Sequence, residues 1–328
     1  MKLATIEKIK EVFPHPNADN LEFVKVLGYR CIVPKGKWNV GDYCVLIQPD
    51  TVLPDVEWSQ VYRSKSNRVK AIKLRGEMSF GIVEDLKILS EERYFIELAL
   101  PEEGVDVTAD LGIRKYEAPQ PQELNAKGGL PFGISRTDEE RWQNLDMSKY
   151  YGEIVDISLK ADGQSFSAYY KDGQVGVCGR TMEYKLDCDN HFTRNFRKHD
   201  LENKLKLYCE KHGVNIALRG EQYGIGIQGN TNNPHSKLPV DVMFFSCWDI
   251  DNQRYFGPTE SHYYRNVCNE LNLPIVPIFK ENAVFTGIEP EHYQTLNRLS
   301  NGDMFEGVVV VENDFSFKII NLNYDSKK

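Results

Sequence analysis

The chain has 328 residues, of which 41% are hydrophobic and 27% are charged, and its formal net charge is −8. This length is enough for two domains with cores of their own, and the composition is typical of globular proteins. The negative net charge excludes a polycation that coats nucleic acid with its whole surface.

The cysteines and the N-terminus bear on the cellular compartment. The seven cysteines, at positions 31, 44, 178, 188, 209, 247 and 268, are scattered without a Cys-x-x-Cys pair, which argues against a disulfide framework and a zinc site. The opening MKLATIEKIKEVF lacks the apolar core of a signal peptide, and no stretch approaches the ~20 apolar residues of a membrane span. We expect an intracellular protein, cytoplasmic or in a nucleus-like compartment and compatible with a viral origin, without a membrane partner.

The first ninety residues predict a succession of short strands. Strand patterns occur at Leu21–Val26, Arg30–Val33, Asp42–Gln48, Val69–Leu74 and Phe80–Val83. Five such strands in under a hundred residues predict a small β-barrel such as an OB-fold. The segment HPNADNLEFVKV at 15–26 resembles the opening of OB-type tRNA-binding modules, and this resemblance implies contact with RNA.

A basic cluster lies inside this region. Between positions 60 and 76 there are six basic residues and no acidic one: Arg63, Lys65, Arg68, Lys70, Lys73 and Arg75. Such a cluster is typical of a phosphate-contact surface, so these six side chains are candidate RNA contacts. A solvated hairpin face is an equally good reading of the same residues.

A loop-like, acidic stretch follows the strands. Residues 91–129 include Pro101, Pro119 and Pro121 and end in the run Ala-Lys-Gly-Gly. Prolines and glycines of this kind separate domains more often than they occur inside a core. We therefore predict an N-terminal domain over 1–112, a linker over 113–130 and a second domain over 131–328.

Helix and strand patterns mix in the second domain, which predicts the α+β class. Asp138–Leu145 is expected to be a helix, with Thr137 as its N-cap and Glu140 completing a capping box. Asn190–His212 has the period of one amphipathic helix. Strand patterns occur at Ile154–Leu159, Ile216–Arg219, Val240–Trp248 and Val308–Val311.

Polar residues with catalytic potential stand at or near the ends of several of these strands. In chain order they are Lys160-Ala161-Asp162-Gly163, Arg180-Thr181, Glu221, Trp248-Asp249, Glu306-Gly307 and Lys318. Each has a structural reading when taken alone: a solvated hairpin lysine, an exposed turn arginine, a core aromatic, a strand-edge carboxylate.

Taken together, the series resembles the covalent nucleotidyltransferase superfamily, which includes ATP-dependent ligases and messenger-RNA capping enzymes. The segment ISRTDEERWQNL at 134–145 is similar to the Thr-Asp-Glu-x-Arg-x-Gln-Asn segment of RNA ligases. KWNVGDYCVLIQPDTVLP at 37–54 and KAIKLRGEMSFGIV at 70–83 resemble the N-terminal OB domain of the Deinococcus-type RNA ligases. The resemblance implies an OB-fold followed by an α+β, ATP-grasp-like nucleotidyltransferase domain with antiparallel sheets.

The resemblance also implies an activity: ATP-dependent sealing of RNA 5′-phosphate to 3′-hydroxyl ends through lysyl-AMP and an adenylylated RNA end, by a monomer that repairs nicks. Lys160 would be the nucleophile. Asp162, Glu221 and Glu306 would hold Mg²⁺ or Mn²⁺ through water. The nucleotide would contact Gln143, Leu159, Gly163, Arg180, Glu221 and Lys318, with Trp248 or Phe244 stacked on adenine. Many relatives end with Lys-x-Lys, whereas this chain has Lys318-Ile319-Ile320, so a second cation is missing or comes from elsewhere.

The proposed nucleophile must lose its proton before it attacks a phosphate. A lysine pKa near 10.4 makes deprotonation near pH 7.4 cost about 4 kcal/mol. Neighbouring cations and partial burial reduce that cost. We therefore expect Lys318 and a bound divalent ion to lower the pKa of Lys160.

Three other functions stay open. A GTP-dependent capping enzyme normally carries its OB-fold at the C-terminus, and about ten residues follow Lys318, so we expect no such domain here. A DNA ligase shares most of the motifs but not the RNA-ligase-like segment at 134–145. A non-catalytic RNA-binding module would not need six matching motifs with their acidic and basic groups intact.

Overall fold

The computed structural model describes residues 2–64, 66–116, 125–136, 138–227 and 232–324. The chain divides into two compact units, Met1–Gln120 and Pro121–Lys328. Residues 114–115 and 126–129 of the predicted linker are strands, the first pairing within the N-terminal unit and the second within the C-terminal unit. No helix in the described ranges is long and apolar enough to cross a membrane.

The N-terminal unit consists mainly of short antiparallel strands. These strands are β1 (Ala4–Lys8), β2 (Glu11–Pro14), β3 (Leu21–Val26), β4 (Tyr29–Pro34), β5 (Tyr43–Ile47), β6 (Thr51–Val52), β7 (Ile72–Leu74), β8 (Glu77–Ser79), β9 (Ile82–Glu84), β10 (Val105–Asp106) and β11 (Arg114–Lys115). The helices are α1 (Gln60–Arg63) and α2 (Glu91–Ala99), and 3₁₀ turns lie at Glu57–Ser59 and Leu86–Ile88.

Strand β5 organises the core of this unit because both of its faces are buried. One sheet has the strand order β10-β1-β5-β9 and a second has the order β2-β3-β4, with β11–β6 and β7–β8 as separate pairs. Val45 and Ile47 of β5 pack into one apolar cluster, while Cys44 and Leu46 pack into another. Successive residues of a strand point to opposite faces, so the continuous apolar run of β5 supplies two cores at once.

In its described residues the C-terminal unit combines two sheets with four helices. Its strands are β12 (Ala126–Gly129), β13 (Glu140–Arg141), β14 (Ile154–Lys160), β15 (Gln164–Lys171), β16 (Gln174–Cys178), β17 (Met182–Tyr184), β18 (Ile216–Tyr223), β19 (Asp241–Asp249), β20 (Arg254–Tyr255), β21 (Ile278–Val284), β22 (Gly307–Val311) and β23 (Ser316–Ile320). The helices are α3 (His191–Lys198), α4 (Leu201–His212), α5 (Tyr264–Glu270) and α6 (Glu289–Thr295), with 3₁₀ turns at Trp142–Asn144, Met147–Tyr150 and Pro234–Lys237.

The larger sheet has the order β12-β17-β16-β15-β18-β19-β20, and the smaller has the order β13-β23-β22-β14-β21. The larger sheet packs Phe166 and Phe244 in one cluster with Phe196 of α3 and Leu205 of α4. The smaller sheet has its own core, in which Phe317 packs near Tyr293 of α6. The α+β class with mostly antiparallel sheets is therefore confirmed.

The helix expected at Asp138–Leu145 is wrong. Glu140 and Arg141 form β13, which pairs in parallel with Phe317 and Lys318 of β23, and only a single 3₁₀ turn follows. The backbone groups of this segment are satisfied by the edge of the smaller sheet instead of by a helix. Thr137, the expected N-cap, lies outside the described residues.

The helix expected over Asn190–His212 is two helices. Asn190 caps α3 by accepting a hydrogen bond from the backbone N–H of Thr193 at 3.0 Å. The break falls at Asp200, whose φ of +51° lies in the left-handed region. The apolar period continues across the break, so the sequence pattern alone does not reveal it.

Candidate active site

Lys160 stands where the chain passes from one sheet to the other. It is the last residue of β14 in the smaller sheet, and β15, which begins at Gln164, belongs to the larger sheet. The Ala161-Asp162-Gly163 segment therefore connects the two sheets. It is not the turn of a solvated hairpin, which was the alternative interpretation of the sequence. The lysine side chain is only 26% exposed.

Two glycines allow the acidic residues to approach this lysine. A Cβ atom on Gly163 would lie 2.2 Å from the carbonyl oxygen of Gln222 and 2.9 Å from Cγ of Glu221. A Cβ atom on Gly307 would lie 2.1 Å from the carbonyl oxygen of Ile319. Neither glycine has a positive φ, so the requirement is for space and not for an unusual backbone.

The closest partner of Lys160 is Glu306. Nζ of Lys160 donates a hydrogen bond to Oε1 of Glu306 at 2.6 Å, and both side chains are about three-quarters buried. The antiparallel ladder between β14 and β22 creates this contact because Lys160 pairs with Gly307, the residue next to Glu306.

The carboxylates around Lys160 decide its protonation. Burial alone would lower the pKa of Lys160, but Glu306, together with Glu221 and Asp162, outweighs burial and raises it. The lowering expected from Lys318 and a bound divalent ion stays a prediction, since this pKa applies to the site without the ion. Burial raises the pKa of Glu221 to about 8; Lys160 opposes this rise, while Glu306 and Asp162 add to it.

Asp162 is held by two residues that the sequence analysis did not select. Its Oδ2 accepts a hydrogen bond from the hydroxyl of Tyr324 at 2.5 Å, and its carbonyl oxygen accepts one from Nδ2 of Asn233 at 2.7 Å. Both partners lie outside the recognised motifs, in segments without regular strand or helix patterns. No sequence signal of the kind used above would have found them.

Asp162, Glu221 and Glu306 suit a hydrated divalent cation. Their mutual effects on pKa place the three carboxylates within electrostatic reach of one another. In the described ranges, however, no three acidic, histidine or cysteine side chains are arranged to ligate one ion directly. Oxygen donors that face an ion through its own waters are typical of magnesium sites, so the residues fit the expected mode of binding.

A cationic group lines the site beside these acids. Nζ of Lys318 lies 3.2 Å from Oδ1 of Asp138, and Nη2 of Arg180 lies 3.9 Å from Oδ2 of the same aspartate. Burial, together with the charges of Arg141 and Lys160, lowers the pKa of Lys318 to about 7. Arg141 pairs with Lys318 in the parallel ladder, so it is a candidate for the second cation that the Lys-x-Lys comparison left open.

The segment at 134–145 therefore contributes more than Gln143. Gln143 is buried, and its Oε1 has no hydrogen-bond partner among the described residues, as expected of a group that serves a ligand. Glu139 accepts a hydrogen bond from Oγ of Ser316, and burial raises its pKa. The resemblance of this segment to RNA ligases was the signal that could have added Asp138, Glu139 and Arg141 to the candidates.

The two aromatic residues expected to stack on adenine do not present a free face. Phe244 is fully buried and meets Phe166 edge to face at 6.1 Å. Trp248 is 8% exposed, packs in a different cluster, and donates from Nε1 to the carbonyl oxygen of Gly133 at 2.9 Å. Residues four positions apart share a face in a regular strand, but a bulge in β19 shifts the alternation between Phe244 and Trp248.

That bulge exposes another ring. Arg219 pairs with Ser246 and Gly220 pairs with Phe244, which leaves Phe245 as the extra residue of the bulge. Phe245 is partly exposed. Met243 pairs with Glu221, so both side chains lie on the same face of the sheet. Residues two positions apart in a strand share a face, so Phe245 also lies on this Glu221 face. Leu159, also expected near the nucleotide, is buried in the core of the smaller sheet and donates its N–H to Pro277 at 2.8 Å.

In the N-terminal unit the basic cluster separates into two groups. Arg68 pairs with Asp50 at 2.6 Å and stacks over Tyr116, and Arg63 donates to the carbonyl oxygen of Leu53 at 2.8 Å. Lys70, Lys73 and Arg75 are exposed, and none of the three has an ion-pair partner among the described residues. Lys65 lies outside the described residues.

The exposed group is carried by the β7–β8 hairpin, which the tRNA-module-like segment holds in place. Nε2 of His15 lies 3.2 Å from the carbonyl oxygen of Leu74, and Nδ2 of Asn17 donates to that of Arg75 at 3.0 Å. His15 is 5% exposed and stacks on Phe23 at 5.1 Å. His15 and Asn17 of the HPNADN segment therefore position the β7–β8 hairpin through contacts with its backbone carbonyl oxygens.

Comparison with known proteins identifies the family. A model described as an OB-fold domain matches residues 3–86. A model described as RNA ligase matches residues 153–320, which is more than half of the chain. The chain belongs to the RNA ligase family. No protein in the curated set matches this RNA ligase chain.

Solved structures agree with this assignment over nearly the whole RNA ligase chain. A Naegleria gruberi RNA ligase mutant with ATP and Mn is 29% identical, with a TM-score of 0.81 over 99% of this chain and 98% of that one. The Naegleria gruberi RNA ligase with PPi is 30% identical, with a TM-score of 0.80 over the same shares. The expected RNA ligase with an N-terminal OB domain is confirmed.

Proposed function

We propose that this RNA ligase uses ATP to join RNA 5′-phosphate and 3′-hydroxyl ends through a lysyl-AMP intermediate on Lys160. The observation that carries the proposal is the partly buried Lys160 amine at the seam of two sheets, with Glu306 at 2.6 Å and the carboxylates of Asp162 and Glu221 within electrostatic reach. The similarity to a ligase with ATP and Mn supports this choice of nucleotide and ion.

Lys160 would act first. Its Nζ forms a bond to the α-phosphorus of ATP while the bond to pyrophosphate breaks, which leaves AMP on the lysine. The RNA 5′-phosphate then takes AMP from Lys160, and the 3′-hydroxyl displaces AMP from the RNA end. Before the first step the Lys160 proton must leave, and Glu306 is the group placed to accept it.

Asp162, Glu221 and Glu306 would hold Mg²⁺ or Mn²⁺ through water. The ion would supply positive charge that weakens the hold of Glu306 on the Lys160 proton and stabilises the charge on the phosphate. Lys318 and Arg180 would contact phosphate oxygens, because both cations lie beside the acidic group and guanidinium geometry suits such contacts.

The adenosine would lie on the Glu221 face of the larger sheet. Phe245 is our choice for the ring that stacks on adenine, since it is the partly exposed aromatic residue on that face of β19. Glu221 would accept a hydrogen bond from a ribose hydroxyl, and Oε1 of Gln143, which has no partner among the described residues, would accept one from the nucleoside.

The β7–β8 hairpin would grip the RNA backbone. Lys70, Lys73 and Arg75 present three exposed charges without ion-pair partners in the described part of the chain. Phosphate contacts of this kind carry no sequence information, which suits an enzyme that seals ends. We further propose that the enzyme acts inside the cell as a monomer on nicked RNA; its seven unpaired cysteines support a reducing compartment.

Sealing of a labelled nicked RNA duplex tests the proposal. The wild-type protein with ATP and Mg²⁺ should convert the nick to a continuous strand, and Lys160→Ala should not. A matching nick in DNA, and GTP or NAD in place of ATP, separate this function from a DNA ligase and a capping enzyme. Sealing that persists in Lys160→Ala would reject the proposed mechanism.

A further inference from the structure

A cavity of about 240 Å³ opens beside the reactive lysine, and the nucleotide contacts proposed above do not account for it. Lys160, Asp162 and Glu306 are among its lining residues. The residues assigned to the nucleotide, Glu221, Arg180, Lys318 and Phe245, do not line it. The cavity therefore meets the reacting centre from a different side.

The cavity has an apolar floor and a polar rim. The apolar lining residues Leu159, Phe279 and Phe305, which belong to the core of the smaller sheet or pack against it, are called the floor here. The rim carries hydrogen-bonding groups on Asn233, Asn301, Asp303 and Ser300. The apolar lining can pack against a planar base, and the polar lining can form hydrogen bonds with ribose hydroxyls. A cavity with both kinds of lining is suited to a nucleoside.

The charges of the lining decide which RNA end fits. Among the described lining residues the only lysine or arginine is Lys160, and its charge is paired with Glu306. Burial lowers the pKa of His235, so this rim residue adds no positive charge at neutral pH. Asp303 adds a negative charge on the rim, where its Oδ2 accepts from Nδ2 of Asn301 at 2.8 Å. A terminal phosphate needs cations, whereas a neutral nucleoside with hydroxyls can donate to these oxygens.

We propose that this cavity binds the 3′-terminal nucleoside of the acceptor RNA strand. The inference rests on the proposed function and adds a substrate site to it. The base lies on the Leu159–Phe305 floor, the ribose hydroxyls face the rim, and the 3′-hydroxyl points toward Lys160 and Glu306. In the last step the 3′-oxygen bonds to the RNA 5′-phosphorus, the bond to AMP breaks, AMP leaves with the electron pair, and the hydroxyl proton passes to water.

The test separates the last step from the first. Formation of lysyl-AMP is measured with labelled ATP, and phosphodiester formation is measured with a pre-adenylylated RNA end and a titrated acceptor strand. Asp303→Asn should raise the KM for the acceptor about tenfold, because the amide oxygen still accepts from a hydroxyl but lacks the charge that strengthens the hydrogen bond. Asp314→Asn, an exposed aspartate outside the cavity, is the matched control and should change neither step.

A second variant blocks the cavity from its rim. Ser300 is exposed, so Ser300→Trp should fold normally while its ring covers the floor. An acceptor that ends in an abasic ribose should be a poorer substrate than a normal acceptor for the wild type, and the two should be equally poor for Ser300→Trp. Lysyl-AMP formation in each variant reports that the protein is folded and holds ATP.

The outcomes distinguish the two proposals. No lysyl-AMP in the wild type would reject the proposed function itself. A wild type that forms lysyl-AMP and seals, with variants that seal at the normal acceptor KM, would overturn the cavity assignment alone. Equal losses in both steps would also overturn it, because the cavity would then serve ATP.

Discussion

The amine of Lys160 and the carboxylate of Glu306 lie 2.6 Å apart although 146 positions separate them in the chain. The pairing of β14 with β22 brings them together. The absence of a side chain at Gly307 lets the neighbouring strand β23 lie close to β22. Glu306 raises the pKa of Lys160 and so helps to keep its amine protonated. This effect lasts until the Glu306 carboxylate takes the proton or is neutralised by another positive charge, such as that of a divalent ion.

This relationship predicts the behaviour of Glu306→Gln. The amide cannot take the lysine proton and contributes no charge to a divalent ion, so the rate of adenylylation should fall by about 100-fold or more. A higher Mg²⁺ concentration should also be needed for the half-maximal rate, because only Asp162 and Glu221 remain to hold the ion. Both are measured with labelled ATP across a Mg²⁺ titration, with the exposed Glu291→Gln as control. Lysyl-AMP formation at the normal rate would remove Glu306 from the proposed site.

The crossing between sheets predicts a contrast between two glycines. Gly163→Ala places a methyl group 2.2 Å from a backbone oxygen and should lower the free energy of unfolding by about 2 kcal/mol or more. Gly128→Ala meets nothing within 4 Å and should change it by less than about 0.5 kcal/mol. Urea unfolding of the two variants checks this, and similar midpoints would show that Gly163 does not lie so close to Gln222 of β18.

The split of the basic cluster predicts two salt dependences. Changing Lys70, Lys73 and Arg75 together to alanine should weaken RNA binding. It should also reduce the magnitude of the slope of log binding constant against log salt concentration by about 2 to 3. The double variant Arg63→Ala/Arg68→Ala should leave the slope unchanged, because these arginines already have partners in the N-terminal unit. Binding is measured by titration of labelled RNA at several salt concentrations. A larger change of slope in the double variant would contradict the assignment.

The burial of Lys318 predicts a pH-dependent stability. Its pKa is about 7 in the folded protein, against an ordinary value of 10.5. Between these values the unfolded chain binds more protons, so the wild type should gain stability relative to Lys318→Met as the pH rises from 7 to 10. The gain is at most about 1.4 kcal/mol per pH unit and is absent below pH 7. Urea midpoints of both proteins at pH 7, 8 and 9 provide the comparison, and parallel curves would mean that the folded pKa is ordinary.

The sequence predicted the positions of strands better than it predicted which segments pair with one another. Leu21–Val26 was expected as a strand and is one, because its apolar residues and its flanking turns agree. The Asp138–Leu145 pattern also fits a helix, but the edge of the smaller sheet offered backbone partners 177 or more positions away in the chain. Local periodicity contains no information about such distant partners.

The same limit applies to the site. Lys160, Asp162, Glu221 and Glu306 were expected together because the order of their motifs resembles a family, and the structure places their charges within reach of one another. Tyr324 and Asn233, which hold Asp162, stand in no motif. Phe245 was missed because a β-bulge moves the strand face by one residue, and nothing in the run VMFFSCWDI indicates where the bulge falls.

Transfer of label from α-labelled ATP to the protein tests the central claim most directly. The wild type, incubated with ATP and Mg²⁺ and separated on a denaturing gel, should carry the label, and digestion should place it on the peptide that contains Lys160. Lys160→Ala should carry none while still folding and unfolding cooperatively, because the ion pair that it loses with Glu306 lies outside the apolar cores. Label that remains on the Lys160→Ala protein, or that maps to another lysine, would contradict the account.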